Sequence, residues 1–264
     1  MTLTLSALSL YPVKSGAGID LQQAELDRFG LAGDRRWMLV DDTGRFITQR
    51  DLARLALLKT GWRNGSLTLR WERELLEVMV PAANATVLPV AVWADTVTAR
   101  DAGPEAAEWL QQRLGVACRL VYMPDDCHRA VDPKYATRGQ TVSFADGFPL
   151  LLISQASLYD LNARLPSAVP MNRFRPNLVI TGCAPFAEDS WQRIRIANID
   201  FDIAKPCSRC VIPSIDQATA ERDRSIHRVL AGFRRRERII YFGQNLLHRG
   251  TGRLNVGDEV HVLA

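Results

Sequence analysis

Arg193-Ile194-Arg195-Ile196-Ala197-Asn198-Ile199-Asp200-Phe201-Asp202-Ile203-Ala204-Lys205-Pro206-Cys207-Ser208-Arg209-Cys210 carries two signals in one run. Arg193–Ile196 and Ile199–Ile203 alternate polar and apolar residues around Ala197-Asn198, which predicts two antiparallel strands joined by a tight turn. Pro206 has no N–H to give a sheet and reads as the stop of the second strand. The two cysteines that follow lie three apart on a loop. That spacing lets both sulfurs face one point, or directs one inward and the other away. A neighbouring Lys or Arg favours thiolate, the form that binds metals. The pair alone fits half a zinc site, a redox dithiol or neither. Zinc needs two more ligands, yet Cys118, Cys127 and Cys183 form no second close pair, and His128, His227, His248 and His261 are scattered. A thioredoxin-like dithiol would open a helix, and Val211-Ile212-Pro213 is not a helix start.

Outward from this run the chain is rich in strand signals. Leu3–Leu10 alternates and ends at Pro12. Trp37–Val40 and Phe46–Thr48 flank Asp41-Asp42-Thr43-Gly44, a predicted hairpin. Asn64-Gly65 predicts another, between Leu55–Trp62 and Leu67–Trp71. Val90–Thr98, Asn177–Thr181 and Asn255–Leu263 are further strand candidates. Helices are predicted over Pro104–Leu114, with proline in the first turn, over Gln155–Leu165 with Ser154 as N-cap, and over Ala218–Phe233. The expectation is a mixed α/β, strand-rich chain with barrel-like sheets and a boundary near 115–125.

The 264 residues are 47% apolar and 23% charged, enough to bury a sizeable core. A formal net charge of +4 over this length gives no argument for nucleic acid. It is compatible with an anionic cofactor or an acidic partner. The densest basic run, Arg234-Arg235-Arg236 with Arg238, reads first as a solvated helix end and second as a docking patch. No apolar stretch approaches the ~20 residues of a membrane span. Met1–Ala7 alternates and lacks the marks of a signal peptide. The expected location is therefore cytoplasmic, with cysteines serving as thiols, ligands or reactive groups rather than disulfides.

Six motifs in order resemble the MOSC family, in the group with an N-terminal β-barrel domain that includes the mitochondrial amidoxime-reducing component. They are Tyr11-Pro12-Val13-Lys14-Ser15, Gly33-Asp34-Arg35-Arg36-Trp37, Phe174-Arg175-Pro176-Asn177, Ala187-Glu188-Asp189-Ser190-Trp191, the Cys207–Cys210 loop, and Phe242-Gly243-Gln244-Asn245. The resemblance implies a β-barrel-like MOSC core at 121–264 behind an N-terminal β-barrel domain at 1–120. It implies the molybdenum cofactor (molybdopterin), with Cys210 as thiolate ligand to the metal; a soft sulfur suits such a metal. By the same resemblance Asp146 lies beside the metal, where a carboxylate could hold a metal-bound water or relay protons; its alternative is a turn at Asp146-Gly147. Lys14, Ser15 and Arg35 match residues at the cofactor's phosphate end, and Arg175, Asn177 and Ser208 match pterin contacts. Cys207 matches a less strictly kept position and is read as structural, as are Glu188, Asp189 and Trp191.

The activity implied is reduction of N-hydroxylated compounds: hydroxylamines, amidoximes and N-hydroxylated bases. A cofactor carrier or sulfur-delivery module without turnover is the rival reading, which the presence of Asp146 disfavours. No C-x4-C-x2-C iron–sulfur signature and no G-x-G-x-x-G occurs in the sequence. Electrons are thus expected from a separate ferredoxin-like or flavin protein.

Overall fold

A computed structural model describes residues 2–63, 65–136 and 139–264. Among these residues the strands fall into four sheets. The largest runs, edge to edge, Val260–Val262, Arg193–Ile196, Ile199–Ser208, Ile239–His248, Leu150–Ser154, Leu178–Thr181, Thr4–Leu10 and Ile19–Leu21, with Arg235–Arg236 paired to Ile239–His248. All its pairings are antiparallel except Leu150–Ser154 with Leu178–Thr181. It curls until its ends meet: Leu5 N–H donates to Asp258, Gly257 N–H to Leu5 and Val260 N–H to Leu3. Leu5, Leu8, Leu152, Leu178, Ile194, Phe201 and Leu246 fill the interior. Arg193–Ile196 alternates because one face meets this core and the other does not, whereas Leu150–Ser154 and Leu178–Thr181 are covered on both faces and buried almost throughout.

A second sheet joins Trp37–Val40, Arg119–Tyr122, Asp95–Asp101 and Val87–Val92. A third joins Lys59–Arg63, Ser66–Trp71 and Glu74–Met79, and a small one joins Gly252–Asn255, Gln23–Asp27 and Gly30–Leu31. Helix α1, Pro104–Leu114, buries Ala106, Leu110 and Leu114 beside Val13, Trp37 and Leu55. Helices α2, Gln155–Asn162, and α3, Ser225–Phe233, share a cluster with Phe174 and Phe242. No helix among the described residues is long and apolar enough to cross a membrane. The mixed, strand-rich architecture agrees with the expectation.

Several elements differ from it locally. The strand Ile199–Ser208 does not stop at Pro206. It absorbs the missing N–H by shifting register between Ile203 and Lys205 and between Pro206 and Ser208, so Cys207 sits in the strand and Cys210 just beyond. Val90–Thr98 is two strands, turned at Trp93-Ala94. No Gly, Pro or Asn marks that turn; Trp93 itself takes φ +60°. Ala53–Leu57 is a short 3-10 helix, and its strand begins only at Lys59. The neighbouring turn residue Asn64 lies outside the described residues. Phe46 makes one bridge to Val40 rather than a full hairpin arm.

Helix α3 starts at Ser225, not Ala218, because Asp216 instead accepts from the Ala218 and Thr219 amides in a turn. Helix α2 ends at Asn162, short of Leu165. Asn255–Leu263 contributes to two sheets, breaking at Gly257 with φ +99°. The basic run begins at a helix end, with Arg234 as the C-cap of α3 and turned to Asp189 at 2.6 Å, and continues as the strand Arg235–Arg236. Position 120 lies inside Arg119–Tyr122, and strands pair across it in both directions, Thr4–Leu10 with Leu178–Thr181 and Gln23–Asp27 with Gly252–Asn255.

Candidate functional site

The two N-terminal motifs are knitted together backbone to backbone. Arg35 N–H donates to Tyr11 C=O at 2.8 Å, Trp37 N–H to Pro12 C=O at 3.0 Å, and Lys14 N–H to Trp37 C=O at 2.7 Å. The buried Asp34 carboxylate accepts from Tyr11 N–H at 2.9 Å and from Arg35 Nη1 at 2.5 Å. Gly33 takes φ +89°, and a Cβ there would lie 2.8 Å from Trp62 Nε1, so only glycine fits this bend. Ser15, Arg35 and Arg175 hold φ of +66°, +47° and +56°. Non-glycine residues enter the left-handed region at a cost of order 1–3 kcal/mol, and such strain clusters at functional sites.

The Phe174–Asn177 motif docks onto this frame. Arg35 donates from Nη1 to Asn177 Oδ1 at 2.9 Å and from Nη2 to Arg175 C=O at 3.2 Å. The guanidinium carbons of Arg35 and Arg175 each lie 4.3 Å from the Tyr11 ring centroid. Arg175 Nη1 donates to Gly16 C=O at 2.6 Å. Burial, with the nearby Arg35 charge, pushes the Arg175 pKa down to about 10, so it stays cationic at neutral pH. Asn177 bridges two strands: Oδ1 accepts from Leu151 N–H and Nδ2 donates to Ser9 C=O.

Asp146 and Lys14 form one unit. Lys14 Nζ lies 2.5 Å from Asp146 Oδ1 and 2.7 Å from Phe144 C=O. An ammonium carries three hydrogens, so one remains for a ligand. Burial pulls the Lys14 pKa down against the pull of Asp146. Burial likewise works to raise that of Asp146, but Lys14 and Arg50 outweigh it and hold the carboxyl well below the usual range. Its side chain is still 58% open. Beneath the loop, Arg129 donates to the carbonyls of Ser143, at 2.9 Å, and Ala145, at 2.6 Å, fixing where the carboxylate points.

The cysteine loop completes the site. Arg50 Nη2 reaches Cys210 Sγ at 3.5 Å and Asp146 Oδ2 at 3.2 Å, spanning thiol and carboxylate. Arg209 turns to Cys207 instead, Nη1 to Sγ at 3.1 Å, while its Nη2 donates to Phe174 C=O at 2.7 Å. The two sulfurs therefore have different cationic partners. Ser208 is exposed between them.

Lys14, Ser15, Arg35, Asp146, Arg175, Asn177, Ser208 and Cys210, dispersed from position 14 to position 210, line one cleft of about 140 Å³. The fold adds Arg50 and Arg209, which the motifs did not single out as site residues. Arg209 stands within the cysteine run, where a cation favours thiolate; Arg50 follows Gln49 without any local signal. Five cations face one carboxylate in this lining. Two of them hold buried nitrogens without a partner, Arg175 Nη2 and Arg209 Nε. A buried unpaired donor costs about 1–3 kcal/mol, so the cleft suits an anionic, hydrogen-bond-accepting group. No cluster of three or more His, Cys, Asp or Glu able to hold a metal exists among the described residues. A metal here would have to arrive with most of its ligands already on it, as one bound to pterin sulfurs does, and the residues present fit such a group.

The remaining motifs brace the surroundings. Glu188 accepts from Ser154 N–H at 3.1 Å and from the Ser157 hydroxyl at 2.7 Å, and Asp189 accepts from Gln244 Nε2 at 2.7 Å.

Comparison with known proteins gives the same family. Residues 2–117 match the MOSC N-terminal beta barrel domain, and residues 139–261 match the MOSC domain. The chain is 33% identical to mitochondrial amidoxime-reducing component 1 of Mus musculus, over 98% of its own length and 82% of the relative's. The Homo sapiens protein of that name is 33% identical over 98% and 83%. Mitochondrial amidoxime reducing component 2 of Bos taurus is 31% identical over 98% and 82%. On motif order, strand-rich architecture and these matches, the chain belongs to the MOSC family, in the group that carries the N-terminal beta barrel domain.

Proposed function

We propose that the chain binds the molybdenum cofactor in this cleft through Cys210 and reduces N-hydroxylated compounds. The observation that carries the proposal is the cationic cleft with two orphaned guanidinium nitrogens beside a thiol. The names of the relatives supply the substrate class. Arg175 and Asn177 would meet the pterin, with Lys14, Arg35 and the backbone around Ser15 at the phosphate and Ser208 near the ring. When bound, the cofactor supplies the two-electron chemistry. The overall change is R–NHOH + 2e⁻ + 2H⁺ → R–NH₂ + H₂O.

The chain's own residues place and orient. Asp146, ionised and half open, accepts a hydrogen bond from the substrate's N–H or O–H. Its depressed pKa makes it a poor store for a proton, which favours this accepting role over a relay. Arg50 keeps carboxylate and thiol at a fixed separation. Electrons come from a separate donor protein, so reduced viologen is the reductant for assays.

Protein made in a cofactor-replete host should carry roughly one molybdenum per chain. Cys210→Ser should lose both metal and turnover, because a hydroxyl is a harder, poorer ligand, whereas Cys207→Ser should keep most of each. Elemental analysis with a benzamidoxime reduction assay decides. Loss on Cys207→Ser alone reverses the assignment, and metal without turnover in the native chain supports the carrier reading instead.

A further inference from the structure

A second hollow, of about 380 Å³, opens beside the first and shares Cys210, Asp146 and Arg50 with it. Two residues line only this outer hollow, Trp93 and Lys205. Trp93 is 49% exposed and stands in a left-handed turn that disfavours a bulky side chain. Its indole is nonetheless set by three contacts: Nε1 donates to Asp146 Oδ1 at 3.4 Å, Arg50 lies 4.7 Å from the ring centroid, and Phe46 packs at 5.1 Å. Lys205 Nζ lies 4.9 Å from the Tyr135 ring centroid and 5.2 Å from that of Phe148. Among the described residues its ammonium has no ion pair or hydrogen bond. Arg50 and Arg209, the other cations here, direct their terminal nitrogens to Asp146 and Cys210 and to Cys207 and Phe174, and the unpaired Arg209 Nε is buried.

We infer that this outer hollow is the substrate's seat and that it selects planar aromatic N-hydroxy compounds carrying a carboxylate. The ring stacks on Trp93, the carboxylate pairs with Lys205, and the N–OH end points to Cys210 and Asp146. One uncommitted ammonium matches one negative charge, and an exposed indole supplies a flat apolar wall beside it. This selectivity rests on the proposed reductase activity, but its binding component can be measured without turnover.

The test compares 4-hydroxylaminobenzoate with phenylhydroxylamine, using the molybdenum-loaded protein and reduced viologen. The carboxylate compound should show the lower KM. Lys205→Gln should raise its KM about tenfold more than that of phenylhydroxylamine, the usual size of a charge-assisted contact, and Lys205→Arg should restore the preference. Trp93→Leu should raise both KM values roughly two- to tenfold. Calorimetric titration with the product 4-aminobenzoate should show the same Lys205 dependence. If Lys205→Gln shifts both substrates equally and leaves 4-aminobenzoate affinity unchanged, the selectivity claim is wrong even though reduction persists. If 4-aminobenzoate binds in a Lys205-dependent way while neither hydroxylamine is reduced, the seat stands and the reductase reading falls.

Discussion

At the scale of single residues, charge pairing decides more than burial. Asp146 sits between Lys14 and Arg50, and their positive charge outweighs the desolvation that alone would favour its neutral form. Its folded pKa is therefore depressed below an unfolded value near 4. The stability it contributes is fully present above that value and is lost as pH falls through the lower folded one. Asp146→Asn should accordingly melt lower than the native chain at neutral pH, and the gap in Tm should narrow progressively as pH falls below about 4. Calorimetric melts from pH 2.5 to 7 check this, and a gap that widens in acid contradicts the pairing. The variant should keep its metal and lose turnover, because asparagine preserves the shape without the charge. Most of the candidate site was legible at this scale because its residues come in short motifs whose order carries the information. Arg50 was not: its place beside Cys210 depends on contacts 160 residues apart.

At the scale of elements, alternation and capping were good guides where the sequence supplies ordinary punctuation. Helix α1 runs between the residues expected, opened by Pro104 and closed by Gly115 at φ 73°. Helix α2 begins at its predicted cap, with Ser154 Oγ accepting from Ser157 N–H. Failure came where an element ends or continues against its own signals, as at the turn on Trp93 and the strand that carries on through Pro206. The start of α2 also shows how a motif supports an element it does not belong to, since the buried Glu188 ties down both Ser154 and Ser157. Ser154→Ala should therefore cost about 1–2 kcal/mol, lowering the urea midpoint without changing the slope. No shift in the midpoint would show that Glu188 alone suffices.

At the scale of the whole molecule, the two family segments share one sheet. Thr4–Leu10 lies inside the large sheet between Leu178–Thr181 and Ile19–Leu21, with Leu5 and Leu8 fully buried there. Periodicity cannot show such long-range pairing, since a strand's alternation says which face is buried and nothing about its neighbour. A fragment of residues 121–264 made alone should therefore lack a closed sheet, bind an apolar dye and melt without a cooperative transition. Supplying residues 1–120 in trans should restore a cooperative melt. An isolated fragment that melts cooperatively would mean the first strands are dispensable.

The pairing of Gln23–Asp27 with Gly252–Asn255 has a kinetic consequence. Arg253 bonds Glu25 across 228 positions of chain. A ribosome adding about 5–20 residues per second needs roughly 10–45 s to deliver the later strand after the earlier one. Throughout that interval the early strands have an unpaired edge and an apolar face in water. Vectorial synthesis thus leaves that edge open until the last strands emerge, and slowed translation of the second half lengthens the exposure in proportion.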